Sequence, residues 1–212
     1  MLNKLEDIDF YLVTWSSVSK RGNFSDVENA VDAGCRLIQY REKNKDTKEL
    51  IEEAKKLKEI CKNKAIFIIN DNLEVALEVD ADGVHLGQDD VEIDIARKKL
   101  GKNKIIGQTV HSLEEAVNAE KNGVNYIGVA PIFETDTKKD TINPIGKEII
   151  KEIRDKINIP IVAVGGITKE NVKQVISYGA DAAVSVFQVI SSDDVFREVR
   201  SFIGLIRGAK TE

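Results

Sequence analysis

Two cysteines, three prolines and no surplus of positive charge mark this chain first by what it lacks. Cys35 and Cys61 are too few and too far apart for a disulfide framework or a metal knuckle, and read as small structural residues. Lys and Arg number 31 against 36 Asp and Glu, a net charge of −5. A protein that neutralises many phosphates is normally basic, so nucleic acid is excluded as a main partner. No apolar run approaches the roughly 18 residues of a membrane span. MLNKLEDIDF has neither the basic n-region nor the apolar h-region of a secretion signal. No stretch rich in Pro, Gly or Ser forms a linker. The expectation is one cytoplasmic domain over residues 1–212, with no membrane partner.

What the chain does have is alternation. Short apolar runs of strand length lie at 10–15, 36–42, 65–71, 83–87, 104–110, 126–133, 159–166 and 182–187. Helical patterns separate them at 25–34, 46–62, 73–80, 112–123, 146–156, 169–179 and 193–208. The clearest, DTKELIEEAKKLKEICK, puts Leu50, Ile51, Ala54, Leu57, Ile60 and Cys61 on one face and charges opposite. Ser112 and Thr168 stand where helix N-caps belong, and Gly34, Gly123 and Gly179 where helices stop. DAGCRLIQY, VDADGVHLG, KNGVNYIGV and YGADAAVSV share one form, a helix end, a tight turn and a strand. Near-continuous apolar strands imply a parallel sheet covered on both faces. Eight such units in 212 residues favour an α/β fold, a single (β/α)8 TIM barrel, over an open doubly wound sheet.

Chemistry in such a barrel sits at the C-terminal ends of the strands. In QYREK, Gln39, Arg41 and Lys43 alternate, so an extended strand projects them together. An Arg fork beside a Lys point charge suits a diphosphate; the plain alternative is a charged strand end held in salt bridges. Asn70 and Asp71 end the third run and Asp90 follows the fourth. A carboxylate from each of two neighbouring strands is how Mg2+ is usually held, although Asn70 and Asp71 also suit a simple Asx turn. Gly165 and Gly166 fall where a backbone must approach something closely, and barrel loops there commonly form a phosphate nest. His85 reads as a hydrogen-bonded core residue. His111 either reaches the mouth or serves helix entry. The seven polar residues from Glu134 to Asp140 are either a solvated loop or groups gathered around anions.

Taken in order, YLVT, QYREK, IIND, ADGVHLGQDD, GQTVHS, IGVAPIFETDTKKD, VAVGGIT and GAD resemble the thiamine-phosphate synthase (thiamine-phosphate pyrophosphorylase) family over about residues 11–190. The resemblance implies a Mg2+-dependent barrel enzyme of thiamine biosynthesis. It would join a hydroxymethylpyrimidine diphosphate to a hydroxyethylthiazole phosphate and release pyrophosphate. It implies that Gln39, Arg41, Lys43, Asn70 and Lys138 hold the pyrimidine diphosphate, and Asp71 and Asp90 the Mg2+. Thr109 keeps a hydroxyl where the family has Ser. Thr135, Thr137 and Gly166 would face the thiazole phosphate, with the backbone at Val186 and Phe187 closing its nest. The polar tail after Phe133 then interleaves two sites. Arg41, Lys43 and Lys138 would neutralise the departing diphosphate, so no protein nucleophile is required.

Glu134 stands where the family often has Pro, and Phe187 where Ser is usual. The implied partners are small phosphorylated molecules, and homo-oligomerisation is left open. A thiazole tautomerase-like paralogue depending on His111 would not need Lys43, Asp71 and Asp90 together. A non-catalytic phosphate-sensing barrel would bind both ligands without turnover.

Overall fold

A computed structural model of the chain describes residues 5, 8–135 and 143–211. Strands and helices alternate: β1 (Tyr11–Val13), α1 (Asn23–Asp32), β2 (Leu37–Tyr40), α2 (Thr47–Cys61), β3 (Ile66–Asn70), α3 (Leu73–Glu78), β4 (Gly83–Leu86), α4 (Ile93–Leu100), β5 (Ile105–Val110) and α5 (Leu113–Lys121). The order continues with β6 (Tyr126–Val129), α6 (Glu148–Arg154), β7 (Ile161–Ala163), α7 (Val172–Ser177), β8 (Ala182–Ala183), α8 (Val186–Ile190) and α9 (Val195–Thr211). All eight strands lie in one sheet in chain order, each pair parallel, as in β4 and β5 with His85 opposite Gly107. A bridge from Phe10 to Ala183 returns the last strand to the first. The result is a (β/α)8 barrel.

The two-residue side-chain period of each strand divides the apolar residues between two cores. Leu12, Ile38, Phe67, Ile69, Val84, Ile106, Ile127 and Ile161 face outward and pack beneath the helices. Tyr11, Val13, Leu37, Ile66, Ile68, Tyr126, Val162 and Ala182 form the second core, inside the ring. With both faces covered, the strands are continuous apolar runs. Helix α2 shows how the outer layer is held. Asp46 accepts from the Glu49 N–H at 2.9 Å while its own N–H donates to the Glu49 carboxylate at 3.0 Å. This capping box satisfies two helix-end donors, and losing the cap typically costs about 0.5–2 kcal/mol. Ala54, Leu57 and Cys61 are buried beneath it.

Some boundaries differ from the sequence expectation. The run 182–187 is strand only to Ala183, and Val186–Ile190 are helical. There the Ser185 hydroxyl leaves the sheet to donate to the Ile167 carbonyl at 2.7 Å. A short apolar run fits a buried strand and a buried helix equally. Helix α4 has no counterpart among the expected helical patterns, because only Ile93 and Ala96 of its eight residues are buried. Thr168 is not an N-cap: Asn171 precedes α7, and its Oδ1 accepts the Thr168 N–H at 2.8 Å. Ser112 does cap α5, accepting from the Glu115 N–H at 3.2 Å. Gly34, Gly123 and Gly179 each follow a helix C-cap in left-handed backbone. Among the described residues, no helix is long and apolar enough to cross a membrane.

Candidate active site at the barrel mouth

The rim formed by β2, β3 and β4 carries most of the expected polar groups. Thr14, fully buried at the end of β1, donates its hydroxyl to the Arg41 carbonyl at 3.0 Å and accepts the Arg41 N–H at 2.9 Å. That reciprocal pair fixes the root from which the guanidinium projects. Burial pulls the Arg41 pKa down, while Asp71 and Glu42 push it back up. Two residues on, the Lys43 ammonium lies 2.5 Å from Asp71 Oδ2. Behind this rim Glu53 of α2 accepts from the Tyr40 hydroxyl at 2.6 Å and from Asn23 Nδ2 at 3.2 Å, and it also pairs with Lys45. A cleft lined by Lys43, Asn70 and Asp71 opens beside it.

Asp71 sits in left-handed backbone at φ 58°, its N–H donating to the His85 carbonyl at 2.8 Å. Burial alone would raise its pKa. Contacts from Lys43, Asp90 and Asn70 outweigh this and hold the carboxyl below the ordinary range. Asp90 moves the opposite way, pushed up first by burial and then by the charge of Asp71, against the Gly87 N–H that donates to it at 2.6 Å. The Lys43 contact thus holds Asp71 down, while the charge of Asp71 adds to burial in raising Asp90. Among the described residues no group of three or more His, Cys, Asp or Glu could hold a metal. Two hard oxygen donors beside the Arg41 and Lys43 cations do suit Mg2+, which takes one or two carboxylates plus phosphate oxygens and water.

Inside the barrel, polar side chains replace apolar ones in a continuous line. Gln39 Nε2 donates to the Tyr11 hydroxyl at 2.7 Å, and the Tyr11 and Tyr126 hydroxyls are 2.7 Å apart. Tyr126 then meets His85 Nδ1 at 2.9 Å, and His85 Nε2 meets the Thr109 hydroxyl at 2.8 Å. His85 is therefore the hydrogen-bonded core residue expected of it. Gly107 makes the arrangement fit, since a Cβ there would lie 2.1 Å from the Tyr126 ring. Neither tyrosine was expected from sequence to have a site role. The available signal was a phenol at an inward position of a strand whose partners also carry polar inward residues.

His111 is held at the entry to α5: its N–H donates to the Glu115 carboxylate at 2.7 Å and its Nδ1 lies 2.6 Å from the Ala130 carbonyl. Gly166 has φ +63°, but the close approach it permits is not to an open pocket. A Cβ there would come within 2.4 Å of the Glu134 carbonyl oxygen and 2.7 Å of Phe133 Cβ. The glycine lets the loops after β6 and β7 interlock, and Asn171 Nδ2 fastens it by donating to the Gly166 carbonyl at 2.9 Å. Thr135 lies on the first of these loops, while Val186 and Phe187 open α8. The Phe187 ring is 60% exposed. Thr137 and Lys138 lie outside the described residues.

The family model for thiamine monophosphate synthase matches residues 10–190. The chain is 56% identical over 206 residues to thiamine-phosphate synthase of Methanosarcina mazei, covering 97% of this chain and 86% of that one. It is 55% identical to thiamine-phosphate synthase of Methanosarcina barkeri, covering 96% and 92%. Among solved structures, thiamine phosphate pyrophosphorylase from Pyrococcus furiosus superposes with a TM-score of 0.89 at 34% identity, covering 97% of this chain and 99% of that one.

Proposed function

The chain belongs to the thiamine monophosphate synthase family, and from that premise we propose how its barrel mouth carries out the reaction. It is an enzyme that transfers a pyrimidinylmethyl group to a thiazole phosphate and releases pyrophosphate. In our reading Arg41 and Lys43 receive the pyrimidine diphosphate, with Asn70 beside them, and Gln39 and Thr109 bind the pyrimidine ring. Asp71 and Asp90 would hold Mg2+, whose charge offsets that of the diphosphate. Thr135, Gly166 and the first N–H groups of α8 at Val186 and Phe187 take the thiazole phosphate, since the opening amides of a helix have no intrahelical partner. The same reading assigns Lys138 to the diphosphate and Thr137 to the thiazole phosphate.

The bond between the pyrimidine methylene carbon and the diphosphate oxygen breaks with its electron pair leaving on pyrophosphate. Arg41 and Lys43 stabilise that growing charge more than they stabilise the bound substrate, which is what accelerates the step. The thiazole nitrogen lone pair then forms the new C–N bond. Held by its own phosphate on the opposite rim, it is positioned rather than activated. Partners on this reading are small phosphorylated molecules, and the setting is the cytoplasm, which two buried free thiols suit.

The observation that carries the proposal is the cluster of Arg41, Lys43, Asp71 and Asp90 on adjoining strand ends. A thiazole tautomerase would have no use for it. The test is pyrophosphate release from both substrates with and without EDTA. Turnover that needs the metal and falls by orders of magnitude in Asp90→Ala at an unchanged melting temperature is the expected result. Full activity in that variant removes Asp90 from the site.

A further inference from the structure

The line of groups through the barrel interior joins five side chains by four hydrogen bonds, and the hydrogens available tie its sense to the orientation of the Gln39 amide. Gln39 donates from Nε2 to the Tyr11 oxygen. Tyr11 has one proton, which must go to Tyr126; the one proton of Tyr126 must go to His85 Nδ1. Nδ1 therefore accepts, the ring proton sits on Nε2, and Nε2–H donates to Thr109. The Thr109 O–H is then left to donate into the mouth. Gln39 Oε1 is left to accept. Turning the Gln39 amide over reverses all four links together. A mixed arrangement would set two O–H groups or two lone pairs against each other in a buried place, where an unmade hydrogen bond is costly.

We propose that Gln39, Tyr11, Tyr126, His85 and Thr109 form a directional relay that ties the amide sense of Gln39 to the hydroxyl sense of Thr109. Tyr11, Tyr126 and His85 are thereby positioning residues for an aminopyrimidine ring. The proposal rests on the reading of Gln39 and Thr109 as its ligands. An aminopyrimidine edge presents an exocyclic N–H beside a ring nitrogen lone pair. Gln39 Oε1 matches the first and the Thr109 O–H matches the second. In the reversed sense both contacts oppose donor to donor and acceptor to acceptor, so the relay makes selection at one end conditional on selection at the other. Burial pushes the pKa of both phenols well up, so each keeps the proton it must pass on. Gly107, which admits the Tyr126 ring, is what permits this polar line in an otherwise apolar barrel.

Two measurements test it. The first is the 15N spectrum of the His85 imidazole in the unmodified protein at neutral pH. The chain has two histidines, so a His111→Gln sample assigns the signals. The Nε2–H tautomer is expected; a predominant Nδ1–H tautomer is the reversed sense and overturns the match to the aminopyrimidine edge, and a doubly protonated ring overturns the relay. The second compares turnover of the aminopyrimidine diphosphate with that of its desamino analogue. Tyr126→Phe removes one oxygen from the middle of the line. It should raise the KM for the pyrimidine substrate and reduce preference for the amino compound by about tenfold, leaving the KM for thiazole phosphate unchanged. A merely structural loss would lower turnover of both pyrimidines equally. Full preference in a folded Tyr126→Phe overturns the proposal, and if the variant does not fold the tautomer alone decides. Absence of turnover in the unmodified enzyme would instead count against the pyrimidine reading.

Discussion

The Lys43 ammonium lies against Asp71, 2.5 Å from its Oδ2, so the carboxylate proposed as a ligand for a divalent cation already has a monovalent one upon it. If Asp71 holds Mg2+ as proposed, Lys43 must move off it as the cation arrives, which would free it for the diphosphate. Lys43→Ala should therefore bind Mg2+ about two- to fivefold more tightly in the absence of substrate, the amount a half-exposed ion pair is worth, while turnover falls. Calorimetric titration measures the first, and weaker Mg2+ binding in the variant would show that the two cations do not compete.

Gly166→Ala should destabilise the fold by about 1–3 kcal/mol, because it adds left-handed strain at φ +63° to an overlap with the Glu134 carbonyl. Relief requires the loop after β6 to retreat, so the KM for thiazole phosphate should rise as well. Urea midpoints and initial rates separate the two effects. A midpoint equal to that of the parent would mean the loops are not interlocked in solution.

Phe187→Ser should do little. The ring is 60% exposed, so stability should change by no more than about 0.5 kcal/mol. If the phosphate is held by backbone amides, its affinity should change less than about tenfold, roughly 1.4 kcal/mol. A larger change in a titration with the thiazole phosphate would assign that pocket to the side chain.

Glu53 gives the rim an acid-sensitive support. Burial would raise its pKa, but hydrogen bonds from Lys45, Tyr40 and Asn23 more than offset this and leave it lowered. A carboxyl lowered on folding contributes stability that is fully present above its unfolded value, near 4.3. That stability is lost as pH falls through the folded value. Glu53→Gln should therefore lose stability at pH 7 and show a flatter acid limb below about pH 4.3, read from urea midpoints across pH. An acid limb as steep as the parent's would place the proton uptake elsewhere.

Much of the fold was legible because both strand faces are buried, which turns each strand into an uninterrupted apolar run. What failed was the point where a run changes conformation. Ala182 to Phe187 carries no period that separates strand from helix, and Ser185 ends the strand through a bond to Ile167, a residue 18 positions away. Helix α4 was missed for the opposite reason, its apolar face being too narrow to show. Within the site, the alternation of Gln39, Arg41 and Lys43 is a local pattern, but β2 ends at Tyr40, so only Gln39 of the three lies in the strand and no extended strand projects them together. The roles of Tyr11 and Tyr126 were not visible, since a phenol in a buried strand passes for apolar bulk until its partner, 115 residues distant, is known. Gly166 was legible as a close approach, but what approaches it is the chain itself.

The bridge from Phe10 to Ala183 has a consequence for how the protein is made. A chain emerging from the ribosome has shown seven strands before the eighth exists, and until then the sheet has two unsatisfied edges that could pair with other chains. Residues beyond the bridge then cover the seam. Phe202 of α9 stacks on Phe10 with ring centroids 5.2 Å apart, and Arg207 and Lys210 both hold Asp9 at 2.7 and 2.9 Å. The first residues of the barrel thus wait for the last helix, and a nascent chain halted before it would leave that seam uncovered.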